Sequence, residues 1–399
     1  MADTPITTSE NTAVQMELYA KKSWLWAQQD LYIGPMIAKV GRQPKGQIKP
    51  DISNVRASKG YDGLITMDDR LRREKGQTVN MNILKPLSGA GRANSQRMKD
   101  HEEKLQYYGY SVTIGYRKNA VVMDAWSEQK TFKDLREDGA VAVSGWLTQI
   151  VDTDSVLCLS GIGNGVYDDD DTELMAASAP TTNRKWFGGQ TVTDVLTTET
   201  TVALLGDFDA NDYANYLFGP RVIEAVHRKA KTAGSGYSKI RPIRVKGKNY
   251  YIMFIHPLQV KALKASAAWQ TAVTRALYPV PEHPMFEDAV GNWDGVIIKE
   301  WDKIETRLGA SDNPETSYFE SGDPANATYT VTVARALFCG CQAAVCCVGS
   351  NVRFFEDKDD DYGDRYGVKT GLMYAFGKPQ FNNEDYGVIA VNTCVEPDE

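Results

Sequence analysis

The chain has 399 residues, 42% of them hydrophobic and 24% charged, with a formal net charge of −7. At roughly 100–200 residues per folding unit, that length predicts two or three units with a core of their own. The overall acidity argues against a general nucleic-acid binder, which is basic. The longest apolar run, around Ala334–Val348, is broken by Arg335, glycines and Gln342, so it falls short of the roughly 18–20 residues of a membrane span.

The first residues, Met1-Ala2-Asp3-Thr4-Pro5, are acidic and polar with no apolar stretch behind them. A secretory signal is not expected, and synthesis in a cytosol is. Residues 1–61 read as an extended arm. One short amphipathic stretch, Val14–Leu31, is followed by polar sequence with Pro35, Pro44, Gly46 and Pro50. An arm cannot bury its own Trp24, Trp26, Ile33 and Met36, so it needs a surface to lie against.

Residues 62–118 read as a long β-hairpin. Val79, Met81 and Ile83 alternate with Asn80 and Asn82 on the way out. On the way back Tyr108, Tyr110, Val112, Ile114 and Tyr116 share one face. The tip, Leu87–Gln106, follows Pro86 and carries Arg92, Arg97 and Lys99. It is far longer than a compact hairpin turn, and a two-stranded ribbon is marginal alone in water, so it must dock on its own body or on a neighbour.

A helix is expected over 127–160, capped by Ser127 and ended by Gly161. Phe132, Leu135, Gly139, Val143, Trp146, Ile150 and Leu157 mark its apolar stripe. At 1.5 Å per residue it would be about 50 Å long, a spine for a flat subunit. Residues 161–200 read as loop, with Gly161, Gly163, Gly165 and the acidic run Asp168–Asp171. Beyond them, Asp209–Lys231 is expected to be helical, interrupted at Gly219-Pro220. Asn249–His256 reads as a strand buried on both faces, and Leu258–Leu277 as an amphipathic helix. Gly295–Ile298 reads as another buried strand. Thr328–Val348 is Ala-rich and apolar, and a core helix is expected from about Ala334. Val352–Val391 reads as short strands and turns.

Charge is unevenly spread: residues 1–118 hold 19 Lys+Arg against 12 Asp+Glu, while the rest of the chain is strongly acidic. A basic arm and ribbon could lie on acidic neighbouring copies, although a solvated surface explains the same numbers.

Motifs of catalysis are missing where their spacing would show. Gly363–Thr370 has the wrong spacing for a phosphate-binding loop, and Gly234-Ser235-Gly236 is too short for a nucleophile elbow. The acidic run from Asp357 through Asp359, Asp360, Asp361 and Asp364 has Tyr362 and Val368 where a calcium loop needs Gly and Glu. It reads first as a solvated turn, with a looser cation site left open. His101, His227, His256 and His283 are far apart, and His256, just before Pro257 at the end of a buried strand, reads as a hydrogen-bonded structural residue. Cys158, Cys339, Cys341, Cys346, Cys347 and Cys394 lack paired zinc-type spacing and read as reduced, buried core residues. No catalytic residue, cofactor or metal is therefore expected.

Five segments, in order from about residue 75 to 390, carry a family resemblance. They are Lys75-Gly76-Gln77-Thr78-Val79 with Pro86-Leu87-Ser88-Gly89; Trp126-Ser127-Glu128-Gln129 through Asp134-Leu135-Arg136 and Trp146-Leu147 to Leu159-Ser160-Gly161; and Phe254-Ile255-His256-Pro257-Leu258-Gln259 with Leu263 and Trp269-Gln270. Then come Pro284-Met285-Phe286 with Gly291 through Ile298 and Glu300, and finally Asp361-Tyr362-Gly363 with Asp385-Tyr386-Gly387-Val388. Together they resemble the major capsid proteins typified by phage N4, a branch of the HK97-like capsid proteins. The resemblance implies an α+β subunit with an N-terminal arm (1–61), an extended β-hairpin or E-loop (62–118) and a peripheral domain with the spine helix (119–200). An axial domain (mainly 201–350) and a return to the peripheral domain (351–399) complete it. It implies self-assembly into hexamers and pentamers of an icosahedral head enclosing double-stranded DNA, in the cytoplasm of a bacterial host, with portal, scaffolding and decoration proteins as partners and no membrane. Contacts between copies are expected at Trp24, Trp26, Pro86, Leu87, Arg92, Arg97, Lys99, Tyr108, Tyr110 and Tyr116. Two alternatives stay open at this point: an encapsulin-like cargo compartment, which shares the fold, and a soluble α/β enzyme.

Overall fold

The computed structural model of the chain describes residues 32–33, 36–39, 63–72, 76–84, 102, 104, 107–124, 126, 130, 135–161, 184–191, 195–198, 213–232, 239–245, 248–275, 289–304, 306–307, 333–350, 352–360, 365–381 and 384–396. Its first strands are β1 (Ile37–Lys39), β2 (Ile65–Asp68), β3 (Thr78–Leu84), β4 (Tyr107–Thr113) and β5 (Gly115–Asp124). The spine helix α1 (Leu135–Ser160) follows, then β6 (Lys185–Gly188), β7 (Leu196–Thr198) and helix α2 (Pro220–Lys231). Strands β8 (Ile243–Val245) and β9 (Lys248–Ile255) lead into helices α3 (Pro257–Ala265) and α4 (Ala267–Arg275). The rest is strand: β10 (Ala289–Trp293), β11 (Val296–Glu300), β12 (Thr306–Arg307), β13 (Val333–Cys339), β14 (Ala344–Val348), β15 (Arg353–Asp360), β16 (Arg365–Gly377), β17 (Gln380–Phe381), β18 (Glu384–Asp385) and β19 (Val388–Cys394).

Two sheets organise these elements. The larger has nine strands, ordered β10-β11-β9-β13-β19-β6-β7, with β12 on β13 and β8 on β9. Its central strands are buried on both faces, which is why they read as continuous apolar runs. Tyr251, Met253, Ile255, Val296, Ile298, Ala336, Phe338, Ile389 and Val391 face α2 and the α3–α4 pair, meeting Val222, Ile223, Val226, Leu263 and Trp269. The alternate residues Ile252, Phe254, Ile297, Leu337, Cys339 and Val388 face α1, meeting Leu147, Val151, Val156, Cys158 and Leu159. The smaller sheet runs β1-β2-β14-β16-β15, with β5 also on β16. Strand β16 is 13 residues long and organises that sheet: β15 and then β14 pair along it, and β5 pairs with it from Arg365 to Tyr374.

Several helix and turn expectations hold, for identifiable reasons. Gly161 ends α1 in the left-handed region, at φ 79°, which costs glycine no steric strain. Pro220 occupies the first turn of α2, where a missing N–H loses nothing. His256 is structural: its Nδ1 accepts the Leu258 N–H at 3.2 Å, and its own N–H donates to Gln259 Oε1 at 3.0 Å, closing the N-terminus of α3. The strand expected from Gly295 begins one residue later: Asp294 and Gly295, both at positive φ, join β10 to β11 as a tight hairpin turn.

Other expectations are corrected. The core helix expected from Ala334 is two strands, β13 and β14, every residue of both buried. Between them Gln342 has φ 58°, and a Cβ on Gly340 would lie 2.6 Å from the Arg241 carbonyl oxygen, so that turn admits no side chain there. A strand covered on both sides has no period-two signal and mimics a buried helix. The helix expected over Leu258–Leu277 is two, because Ser266 is extended (ψ 126°). Tyr213–Tyr216 form a single 3₁₀ turn before α2, separate from it. The "short strands" after Val352 include the long β16. The spine helix is described from Leu135, with Trp126 and Lys130 also helical; residues 127–129 and 131–134 lie outside the described residues. Its apolar stripe is also wider than expected. Leu157 is half-buried, whereas Val151, Asp154, Val156, Cys158 and Leu159 are all buried, since this half of α1 lies between the two sheets.

Candidate inter-subunit surfaces

The hairpin is formed by β3 and β4, antiparallel from Thr78↔Thr113 to Leu84↔Tyr107. Val79 and Val112 are buried against Val345, Cys347 and Ala375 of β14 and β16, with Met81, Tyr110 and Ile114 packed around them. The root therefore docks on its own subunit. Glycines make the approach possible: a Cβ on Gly377 would lie 2.5 Å from Val112 Cγ2, and one on Gly349 2.3 Å from Ile114 Cδ1. Burial raises the Tyr110 phenol well above its usual range, reinforced by Cys158, Cys347 and Asp385 nearby. Tyr110 thus sits in this chain's own packing.

Tyr116, expected on the same hairpin face, belongs instead to β5, where it pairs with Met373. The ribbon β5–β16–β15 has two unlike faces, because directly opposed residues in antiparallel pairs share a side. On one side Met123, Val368, Thr370, Leu372 and Tyr374 are buried. There Asp154 of α1 accepts a 2.6 Å hydrogen bond from Tyr374 Oη and pairs with Arg117 at 3.2 Å. Burial and the adjacent Asp154 both raise the Tyr374 phenol. On the other side Tyr116, Val122 and Phe355 are 40%, 60% and 49% exposed, with Lys118 and Arg353 exposed among them. These three are most of the large exposed apolar side chains among the described residues; Trp126 and Val141, near the start of α1 and along it, are the others.

Of the remaining expected contact residues, Tyr108 lies in β4 opposite Ile83. Trp24, Trp26, Pro86, Leu87, Arg92, Arg97 and Lys99 lie outside the described residues. So do Asp168–Asp171, Asp361, Asp364, His101, His283 and Gly234-Ser235-Gly236. Arg365–Thr370, of the stretch compared with a phosphate loop, lie inside β16. The six cysteines are buried and form no disulfide, and burial pushes the thiols of Cys158, Cys347 and Cys394 up to about 12, far from a reactive or metal-binding thiolate. Among the described residues no group of three or more His, Cys, Asp or Glu is placed to hold a metal. An open cleft of about 500 Å³ is lined by Glu224, Arg228, Asn292, Trp293 and Asp294. Two of its polar groups engage neighbours: Trp293 Nε1 donates to Glu224 at 3.0 Å, and His227 Nδ1 lies 2.7 Å from Asp294.

Residues that sequence reading missed are the buried polar ones that join elements. Arg335, 2% exposed within β13, donates to Asn392 Oδ1 at 2.9 Å and to the Ser160 carbonyl at 2.8 Å, so a cation closes the C-terminus of α1. Its signal was a charge inside an apolar run. Asp152 and Asp154 gave the same signal inside the spine helix.

This geometry, two sheets joined by a long helix, with a docked hairpin root and an exposed sheet face, has counterparts among known proteins. Residues 7–397 match the family described as "Phage capsid protein". The chain belongs to that family. The capsid subunit is 24% identical over 359 residues to the "Major capsid protein" of Pseudomonas phage KPP25, covering 83% of this chain and 87% of that one. Its fold is similar to the capsid of Ralstonia phage GP4 (TM-score 0.64, 21% identity, 85% of this chain and 89% of that one). It is also similar to the capsid asymmetric unit of cyanophage Pam1 (TM-score 0.63, 18% identity, 90% and 97%). The fold is the HK97-like α+β capsid fold, and the subunit is a phage major capsid protein whose role is to form the shell. The cargo-compartment alternative is not favoured.

Proposed function

We propose that this capsid subunit belongs to the N4-type branch and self-assembles into the hexamers and pentamers of an icosahedral head around double-stranded DNA, performing no catalysis of its own. In this reading residues 1–61 are the arm and 62–118 the E-loop. Residues 119–200 and 351–399 form the peripheral domain, and 201–350 mainly the axial domain. Portal, scaffolding and decoration proteins complete the particle, which assembles in the host cytoplasm. The observation that supports it most is the division of labour along the hairpin and its neighbouring ribbon. The root is buried on its own body, while Tyr116, Val122 and Phe355 leave an apolar face open one strand away. Heterologous contacts that close by symmetry cover such faces without enlarging each subunit's core. The arm (Trp24, Trp26), the tip (Pro86, Leu87, Arg92, Arg97, Lys99) and Tyr108, Tyr110 and Tyr116 are proposed to lie at or beside those contacts.

The test is deletion of residues 87–105. Because the root strands keep their packing, a folded subunit is expected, with closed shells lost in negative-stain microscopy and in sedimentation velocity. Normal shells from the deleted chain would remove the hairpin tip from the assembly contacts.

A further inference from the structure

The inner end of the arm is held to the spine helix by one carboxylate. Asp152 of α1 is 4% exposed, and its Oδ2 accepts the Tyr32 N–H at 3.2 Å. The Ile33 N–H also faces it. Ile33 and Met36 are buried in the main core. The Tyr32 ring lies 5.0 Å from that of Trp301, and its hydroxyl donates to the Glu300 carbonyl at 2.7 Å. The arm segment is therefore seated by packing on one side and by Asp152 on the other. The second carboxylate oxygen, Oδ1, is buried and meets no hydrogen-bond partner among the described residues. A buried, half-satisfied anion is costly. A protonated carboxyl at the same place would still accept the Tyr32 N–H and would carry no charge.

We propose that Asp152 is a pH-sensitive clasp, holding Tyr32 and Ile33 of the arm against the spine helix more tightly in acid than in neutral or alkaline solution. The surrounding charged and titratable groups come from every element packed there. They are Asp302 and Lys303 just after β11, Lys299 and Glu300 at its end, His256 before α3, and the Tyr32 phenol from the arm. Lys303 is engaged with the Gln149 carbonyl at 2.9 Å, and Asp154, the next carboxylate on α1, faces Tyr374 and Arg117 instead. Burial raises the Asp152 carboxyl above its ordinary range and Asp302 adds to this, while the backbone donors and Lys303 oppose it. With the seated value above the released one, the seated clasp keeps a proton that a released arm gives up. Its contribution is full below the ordinary carboxyl pKa and is lost as pH rises through the raised one. His256 works in the opposite sense, because burial lowers its pKa.

Hydrogen exchange on the full-length chain tests this, followed by mass spectrometry from about pH 3 to about pH 8. The readout is protection at the Tyr32 and Ile33 amides, corrected for intrinsic exchange, with the β19 amides as internal reference. Protection of the arm amides should fall as pH rises, by about tenfold for each unit by which the Asp152 carboxyl is raised, while the reference stays level. Asp152→Asn, which keeps the accepting oxygen, should flatten the profile. Asp302→Asn, which removes the neighbouring like charge and leaves the clasp itself intact, should move the fall to lower pH, and this arm decides the matter if Asp152→Asn does not fold. A level wild-type profile, an unchanged slope in Asp152→Asn, or an unmoved one in Asp302→Asn would each overturn the proposal.

Discussion

Two phenylalanines on two sheets show how differently the halves of this subunit are built. Phe338 lies in β13, fully buried between α2 and Tyr251 on its side of the nine-stranded sheet. Phe355 lies in β15, 49% exposed on the outer face of the smaller sheet. The first sheet is a finished core, closed on both faces by helices. The second is closed on one face by the spine helix; on the other the hairpin root covers β14 and the end of β16, and the β5–β16–β15 ribbon is left open. A subunit that must fold before it assembles needs the first kind of sheet, and a subunit that must then meet its neighbours needs the second.

Replacing each Phe by Ala gives the largest contrast. Phe338→Ala should cost about 3–5 kcal/mol in urea unfolding. Phe355→Ala should stay within about 0.5 kcal/mol of wild type. Equal losses would break the distinction between closed and open sheets.

A second way to sharpen it is through the polar groups that seal the closed region. Arg335→Leu removes the donor to the Ser160 carbonyl and to Asn392 Oδ1, and a loss of about 1–3 kcal/mol is expected. The loss should appear as a lower urea midpoint with an unchanged slope.

Next in size is a pH effect carried by buried thiols on both sheets and the spine helix. The thiols of Cys158, Cys347 and Cys394 rise from 9.0 to about 12 on burial. The folded chain therefore keeps protons that the unfolded chain releases. Their contribution to stability should be level below 9.0 and decline as pH climbs toward about 12. A thiol reagent should titrate none of these three until the chain is unfolded; rapid labelling of the native protein would contradict their burial.

The smallest expected stability effect belongs to the open face. Val122→Glu and Phe355→Glu should change folding by about 0.5 kcal/mol or less, yet reduce shell formation in sedimentation velocity. Intact assembly with a charged face would show that neighbours cover some other surface.

Much of this was legible from residues alone. The alternation of Val79 and Met81 with Tyr110, Val112 and Ile114 determined the hairpin, because a period of two survives whenever one face is wet. Gly161 marked the end of the spine helix, and Asn249–His256 announced a doubly covered strand. The family segments led to the HK97-like fold, and His256 and the cysteines read as structural before any coordinates. Where both faces of an element are buried, as in β13 and β14, periodicity vanishes and an Ala-rich strand mimics a helix. Neither Gly340's approach to Arg241 nor the seat of Arg335 against Ser160 is local in sequence.

The sequence by itself thus determined the element types wherever water touches one side, together with the family and the absence of recognisable catalytic spacing. Tertiary structure alone decided which face of β5 and β16 stays open, that Tyr110 packs inward while Tyr116 faces out, and that Asp152 and Asp154 bind opposite neighbours. Those outcomes depend on contacts between residues tens to hundreds of positions apart, and side-chain polarity records that a group must be satisfied without recording by which partner.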